Sequence, residues 1–255
     1  MRTWEVARVS VLEVNGLTAG YGRVPVVWEA SLKAKVGQVV TIVGPNGAGK
    51  STFSKAIFGL IPVSAGSVQL DGENLTGWEP HRIARAGIAY VPQVENIFST
   101  MSIRENLEIG GYIRKQGVSE RIAEIFEIFP DLAKAAGRRG GDLSGGQRNM
   151  LGMARALMSD PKVVLLDEPT AGLSPIYVDV VWEQVRKIAS LGTTVVVVEQ
   201  NVERAIANSE WVYVLVAGRN RLDGPAAEVA KLDLASIFLG GSAHAASAGR
   251  SEVNA

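Results

Sequence analysis

The sequence contains no cysteine and only two histidines, His81 and His244. Disulfides, thiol catalysis and cysteine metal sites are therefore excluded, and two histidines are too few for a histidine-based metal site. A charge surplus is missing too: 26 Lys+Arg balance 26 Asp+Glu. With no basic block along the chain, a dedicated nucleic-acid binder is not expected. Long apolar runs are also absent. None approaches the roughly 18 residues of a membrane-crossing helix, and residues 1–10, with Trp4, Glu5 and two arginines, lack the apolar core of a secretory signal. A soluble or peripheral protein is expected. Its 255 residues allow one large domain, or one domain with an inserted lobe.

What the chain does have is GPNGAGKS at residues 44–51. This fits G-x-x-x-x-G-K-[ST], the phosphate-binding loop of nucleotide triphosphatases. The apolar run Val39-Val40-Thr41-Ile42-Val43 reads as a buried strand leading in, and Ser51-Thr52-Phe53-Ser54-Lys55-Ala56 as a helix leading out. The glycines let backbone N–H groups turn toward phosphate oxygens, and the helix N-terminus adds partial positive charge at the same point. Lys50 is placed to reach the β- and γ-phosphates, and the Ser51 hydroxyl to ligate Mg²⁺.

Residues 11–34 alternate, which suggests antiparallel strands with one wet face. Residues 66–70, followed by Asp71-Gly72, read as a strand entering a tight turn. Four later apolar runs, at 88–91, 163–166, 193–198 and 211–216, read as buried parallel strands alternating with helices. The region 99–160 lacks strand signals. Ser102-Ile103-Arg104-Glu105 is a capping box, and Ser119 is a candidate cap for a helix carrying Ile122, Ile125, Phe126 and Phe129 at helical spacing. Residues 241–255, rich in Ala, Ser and Gly, read as a mobile tail. The expected fold class is α/β: a phosphate-loop core with a mixed or parallel sheet, an antiparallel β subdomain and a helical lobe inserted at about 99–160.

Two further motifs carry chemistry. Val163-Val164-Leu165-Leu166-Asp167-Glu168 is an apolar strand ending in carboxylates, the Walker B arrangement. Asp167 would hold Mg²⁺, and Glu168 would orient and polarise the attacking water. Leu143-Ser144-Gly145-Gly146-Gln147 precedes a helical run, so that Ser144 and the glycines offer a second anion site at a helix start.

With these three motifs in this order, the chain resembles the ATP-binding cassette (ABC) ATPases over about residues 11–240. The resemblance implies that Gly44, Asn46, Gly47, Gly49, Lys50, Ser51 and Thr52 bind the phosphates of ATP, with Mg²⁺ at Ser51, Gln93 and Asp167. It implies that Tyr21 stacks on adenine and that Gln93, in Tyr90-Val91-Pro92-Gln93, links the site to the helical lobe. It further implies that Ser144, Gly145, Gly146 and Gln147 contact a nucleotide held by another subunit.

Two positions depart from the superfamily pattern. Glu199-Gln200-Asn201 stands where Thr-His-Asp is usual, and Gly172-Leu173-Ser174-Pro175 where the loop usually ends Ala-Leu-Asp. Ser174 and Pro175 also suit a helix N-cap and first turn. Glutamine cannot titrate, but its amide both donates and accepts. Gln200 is therefore expected to contact the γ-phosphate or the attacking water by hydrogen bonding alone. These departures, with Asn96-Ile97-Phe98 and the segment Gly224-Pro225-Ala226-Ala227-Glu228-Val229, are similar to the LivF-type ATPases of branched-chain amino acid importers and their urea and short-amide relatives. LSGGQ replaces the LSGGE common there. The resemblance implies an importer ATPase on the cytoplasmic face of the inner membrane. Its partners would be a second ATPase, distinct (LivG-type) or identical, two permease chains and, indirectly, a periplasmic binding protein, with no nucleic acid. The alternatives are a soluble non-transport ABC ATPase and an exporter ATPase.

Overall fold

The computed structural model describes residues 12–22 and 24–239. The tail expected at 241–255, and residue 11 at the expected domain start, lie outside them. Along the chain run β1 (Leu12–Tyr21), β2 (Val24–Ala34), β3 (Val39–Val43), α1 (Lys50–Ile57), β4 (Val63–Leu70), β5 (Glu73–Asn74), α2 (Pro80–Ala86) and β6 (Ile88–Val91). There follow α3 (Ile103–Gly110), α4 (Val118–Ile128), α5 (Pro130–Lys134), α6 (Gly145–Leu157), β7 (Val163–Asp167), α7 (Pro175–Ser190) and β8 (Thr194–Glu199). The last elements are α8 (Val202–Ala207), β9 (Trp211–Val216), β10 (Arg219–Pro225), α9 (Ala226–Val229) and α10 (Leu234–Phe238).

The apolar runs become the centre of a six-stranded sheet, ordered β10-β9-β3-β8-β7-β6. Pairing is parallel from β9 through β6, and β10 adds an antiparallel edge. Every residue of β3, β7 and β8 is buried, because both faces of this sheet are covered. Strand alternation divides those residues between two cores. Val39, Val43, Val164, Leu166, Val195 and Val197 face a core shared with α6 and α7. Val40, Ile42, Leu165, Val196 and Val198 face one shared with α1 and the antiparallel strands.

Those antiparallel strands form the second sheet, ordered β2-β1-β4-β5. Its buried face carries Leu12, Val14, Leu17, Leu32 and Val68. Asp71 and Gly72 both take positive φ, 51° and 81°, and turn β4 into β5, the conformation a two-residue hairpin demands. The polar strand β10 has no apolar run to announce it. Its first five residues alternate between exposed and half-buried, and no strand is expected there from the sequence.

Between β6 and β7 the described chain forms helices α3 to α6 and one isolated bridge, Ser102 with Arg139. The Ser102 box forms as expected: the Glu105 N–H donates to Ser102 Oγ, and the Ser102 N–H donates to Glu105 Oε2 at 2.7 Å. Ser119 does not cap α4. The helix starts one residue earlier, at Val118, because Gly117 takes a left-handed turn (φ 73°) and its carbonyl accepts the Arg121 N–H. Ile122 and Ile125 are buried on α4, and Phe129, also buried, ends it. Ser174 holds the N-cap position of α7 with Pro175 following, though its side chain makes no capping bond.

One buried amide fixes the loop that enters this lobe. Asn106 is fully buried, accepts the Phe98 N–H at 2.7 Å, and donates to the carbonyls of Phe98 and Ser102 at 2.9 Å each. Asn106→Leu leaves the Phe98 N–H without its acceptor and removes a donor from the Phe98 and Ser102 carbonyls. It should lower unfolding stability by about 1–3 kcal/mol, read as a shift in urea midpoint with unchanged slope. An unchanged midpoint would show that water replaces the amide without loss.

Candidate nucleotide site

The parallel strands end on one edge of the sheet, where ligands bind in open α/β folds. Adjacent strand ends deliver the functional residues: β3 the phosphate loop, β8 Glu199 and Gln200, β7 Asp167 and Glu168, and β6 Gln93. The register sets Val43 beside Glu199, Asp167 beside Val198, and Val91 beside Leu166. A cleft of about 320 Å³ opens there, lined by Asn46, Gly47, Gly49, Lys50, Ser51 and Thr52 together with Gln93, Glu168 and Gln200.

The phosphate loop is built by close approach. A Cβ at Gly44 would lie 2.0 Å from the Leu215 carbonyl oxygen, and φ there is 156°, so only glycine lets the chain turn beneath the cleft. Lys50 is buried and folds back over the loop, donating from Nζ to the carbonyls of Gly44 at 2.9 Å and Pro45 at 3.1 Å. Burial lowers its pKa, opposed by the charges of Glu168, Asp167 and Glu199. Its ammonium is thus held by neutral carbonyls that a phosphate can replace.

Across the cleft, Asp167 is held from both sides. Ser51 Oγ donates to Oδ1 at 2.8 Å, and Tyr90 Oη donates to Oδ2 at 2.9 Å. Burial first, and then the neighbouring Asp167 charge, push the Tyr90 hydroxyl pKa well up, so it stays a donor. The Tyr90 ring stacks on Phe58 with centroids 5.6 Å apart. Sequence reasoning missed Tyr90; its only signal was a tyrosine on the strand next to β7.

Glu168 is 8% exposed and takes a left-handed φ of 48°, a conformation that costs a non-glycine residue about 1–2 kcal/mol. Such strain collects at functional sites. The turn lets the Glu168 N–H donate to the Val198 carbonyl at 2.9 Å while the side chain enters the cleft. There Oε2 accepts two amides, Gln93 Nε2 at 2.9 Å and Gln200 Nε2 at 2.7 Å. Gln93 and Gln200, expected on metal and γ-phosphate, thus both bond to Glu168 in this structure.

The donor set suits Mg²⁺. The Ser51 hydroxyl and the Asp167 carboxylate are hard oxygen ligands in mutual contact. Three buried carboxylates, Asp167, Glu168 and Glu199, surround one buried lysine, an imbalance a divalent cation offsets.

The signature residues lie elsewhere. Ser144 is the N-cap of α6, and its hydroxyl accepts the Gln147 N–H while Gln147 Oε1 accepts the Ser144 N–H at 3.1 Å. A Cβ at Gly146 would meet the Tyr177 ring at 2.4 Å, so the glycine lets α6 sit tight on α7. None of Ser144, Gly145, Gly146 and Gln147 lines the phosphate cleft. Gly145 instead lines a neighbouring groove of about 720 Å³ with Val94, Phe98, Arg148 and Leu173, and Gln93 borders both. The chain therefore carries two separate helix starts able to receive anions, α1 and α6. Tyr21, 57% exposed at the end of β1, is outside the cleft lining. Sequence reasoning also missed Asn149, which donates to the Pro169 carbonyl at 2.6 Å and accepts from Asn96, tying α6 to the residue after Glu168.

The clamp on Glu168 sets a test. Glu168→Gln should bind ATP as wild type does and lose about 10²–10⁴-fold in turnover. Gln200→Ala should lose about ten- to a hundred-fold, the worth of one hydrogen bond to a charged group expressed in the transition state. Turnover within twofold of wild type in either variant would contradict that assignment.

The ABC transporter family matches residues 27–171. A probable branched-chain amino acid transport ATP-binding protein LivF of Archaeoglobus fulgidus is 41% identical over 221 residues, 86% of this chain and 94% of that one. A high-affinity branched-chain amino acid transport ATP-binding protein, BraG of Pseudomonas aeruginosa, is 36% identical over 233 residues, 91% of this chain and 100% of that one. Among solved structures, an ATP-binding cassette of an ABC transporter superposes with a TM-score of 0.80 at 25% identity, covering 91% of this chain and 98% of the other. With the phosphate loop, the Asp167–Glu168 strand end and the α6 signature in this arrangement, the chain belongs to the ABC transporter family and is an ATP-hydrolysing ATP-binding cassette.

Proposed function

We propose that this chain is the ATPase subunit of an importer for branched-chain or other hydrophobic amino acids, seated on the cytoplasmic face of the inner membrane. The observation that carries the two-chain part of this reading is the separation of the phosphate cleft from the signature at α6. One nucleotide is clamped between the phosphate loop of one ATPase chain and the signature of another. The second chain is a related, distinct LivG-type ATPase. Two permease chains dock on the helical side, and a periplasmic binding protein delivers the substrate to them. The 41% and 36% identities to proteins named for branched-chain amino acid transport support the substrate class.

In this reading Lys50 leaves the Gly44 and Pro45 carbonyls for the β- and γ-phosphates, and the loop N–H groups take the remaining phosphate oxygens. Ser51 and Asp167 would hold Mg²⁺, with Gln93 at the same cleft, and the ion would neutralise phosphate charge. Tyr90 keeps the Asp167 carboxylate oriented. Glu168 accepts the proton of the attacking water, and the Gln200 amide orients the pair by donating a hydrogen bond without proton transfer. Tyr21 stacks on adenine at the outer end of β1. The γ-phosphate is the contact that favours the closed pair, so hydrolysis reopens it. Gln93 borders both the cleft and the 720 Å³ groove, and this shared wall passes the motion to the permeases.

The test uses the complex purified with its co-purifying chains and reconstituted in vesicles. Leucine uptake should require ATP, with isoleucine and valine competing. Ser144→Arg should abolish both uptake and turnover while the isolated chain binds ATP with unchanged affinity. Loss of ATP binding by the isolated Ser144→Arg chain would contradict the two-chain site, and failure of leucine to be taken up by the wild-type complex would contradict the substrate class.

A further inference from the structure

Glu199 is a buried carboxylate that the reaction above does not use. It ends β8 and is 3% exposed. Burial pushes its pKa up. No ion pair to it occurs among the described residues. A carboxylate buried without an ion-pair partner is costly unless hydrogen bonds satisfy it. Here three donors do. Oε1 accepts the Thr170 hydroxyl at 2.7 Å and the Thr170 N–H at 3.2 Å, and Oε2 accepts the Gln200 N–H at 3.1 Å. Each oxygen therefore serves a different loop. Thr170 lies two residues past Glu168 on the turn after β7, and Gln200 begins the loop after β8.

These two loops carry the pair whose side chains meet at Glu168 Oε2. Glu168 sits in a left-handed turn, φ 48°, which is free to relax unless something beyond it is tied down. Pro169 is held by Asn149 of α6, and Thr170 is tied to the strand that carries Gln200. The threonine of the usual Thr-His-Asp pattern would offer one short hydroxyl here. Glutamate offers two oxygens on a longer arm, one for each loop.

We propose that Glu199 is a positioning residue whose carboxylate braces the Glu168–Thr170 turn against the backbone of Gln200, keeping the Gln200 amide on Glu168. This rests on the reading of Glu168 and Gln200 as the reacting pair. In Glu199→Gln one oxygen becomes an NH₂ group. With its remaining oxygen on Thr170, that NH₂ faces the Gln200 N–H, donor against donor. The shape is preserved and the brace is broken.

The experiment measures ATP turnover, KM for ATP and melting temperature of the full chain in its purified complex. The set is wild type, Glu199→Gln, Gln200→Ala, the double variant, and Thr170→Val, which loosens the same carboxylate from its other end. Glu199→Gln and Thr170→Val should each lower kcat about tenfold, with KM close to wild type and melting temperature lowered by a few degrees, the cost of unpaired buried groups. In the Gln200→Ala background, Glu199→Gln should cost less than about twofold, because the amide it holds is already gone. Three results would overturn the inference: kcat of Glu199→Gln within twofold of wild type while Gln200→Ala is impaired, losses that multiply fully in the double variant, or a melting transition that leaves Glu199→Gln partly unfolded at the assay temperature, so that lost fold accounts for lost kcat. Unimpaired turnover in Gln200→Ala would instead remove the reacting pair itself, and the brace with it.

Discussion

One carboxylate oxygen, Glu168 Oε2, receives amides from two neighbouring strand ends, and the rest of the site is arranged around that meeting. The geometry depends on strand order. With β7 between β6 and β8, the residues following three adjacent strands converge on one point. The parallel register holds them level to within a residue, and complete burial of β7 and β8 leaves that register no room to slip. The left-handed turn at Glu168 then aims the side chain into the cleft rather than along the strand.

Around this point the polar groups form two layers. Ser51, Glu168, Gln93 and Gln200 line the cleft, and Asp167 is bonded to Ser51 beside it. Behind them Tyr90 bonds to Asp167 and Glu199 accepts the Gln200 N–H, while Asn149 and Thr170 anchor the turn after Glu168. Burial makes each of these bonds matter, because a broken one leaves a polar group without water. The same burial gives the nucleotide leverage. In the proposed reading an arriving phosphate would compete for Lys50 with the Gly44 and Pro45 carbonyls, exchanging neutral acceptors for a charged one.

Much of this was legible in the sequence, for physical reasons. The five parallel strands of the six-stranded sheet show as nearly continuous apolar runs because both faces are covered, and the phosphate loop shows because backbone turns there demand glycine at fixed spacing. The Ser102 capping box could be read because its partners are three residues apart. What stayed hidden depends on contacts between distant segments. Tyr90 meets Asp167 across 77 positions and Asn149 meets Pro169 across 20, and no local period marks either pair. Glu199 was visible only as a departure from Thr-His-Asp, with no sign of its partners. The polar strand β10 is held by partners the local pattern does not mark, Asp223 with Trp211 and Asn220 with the Ser31 backbone, and the start of α4 is set by the turn at Gly117 rather than by Ser119. Separation of the signature from the cleft was implied by the resemblance; the positions of α1 and α6 give it a physical basis.

The most direct measurement of the account is a cross-link. The chain has no cysteine, so a single cysteine replacing Ser144, carrying a short photo-activatable group, reports one place only. In the purified complex with ATP, the account predicts a product joining two polypeptides, with the link mapped by mass spectrometry to the phosphate loop of the other ATPase chain and lost without nucleotide. A link from Ser144→Cys to residues 44–51 of its own chain, or one that forms equally without ATP, would contradict it.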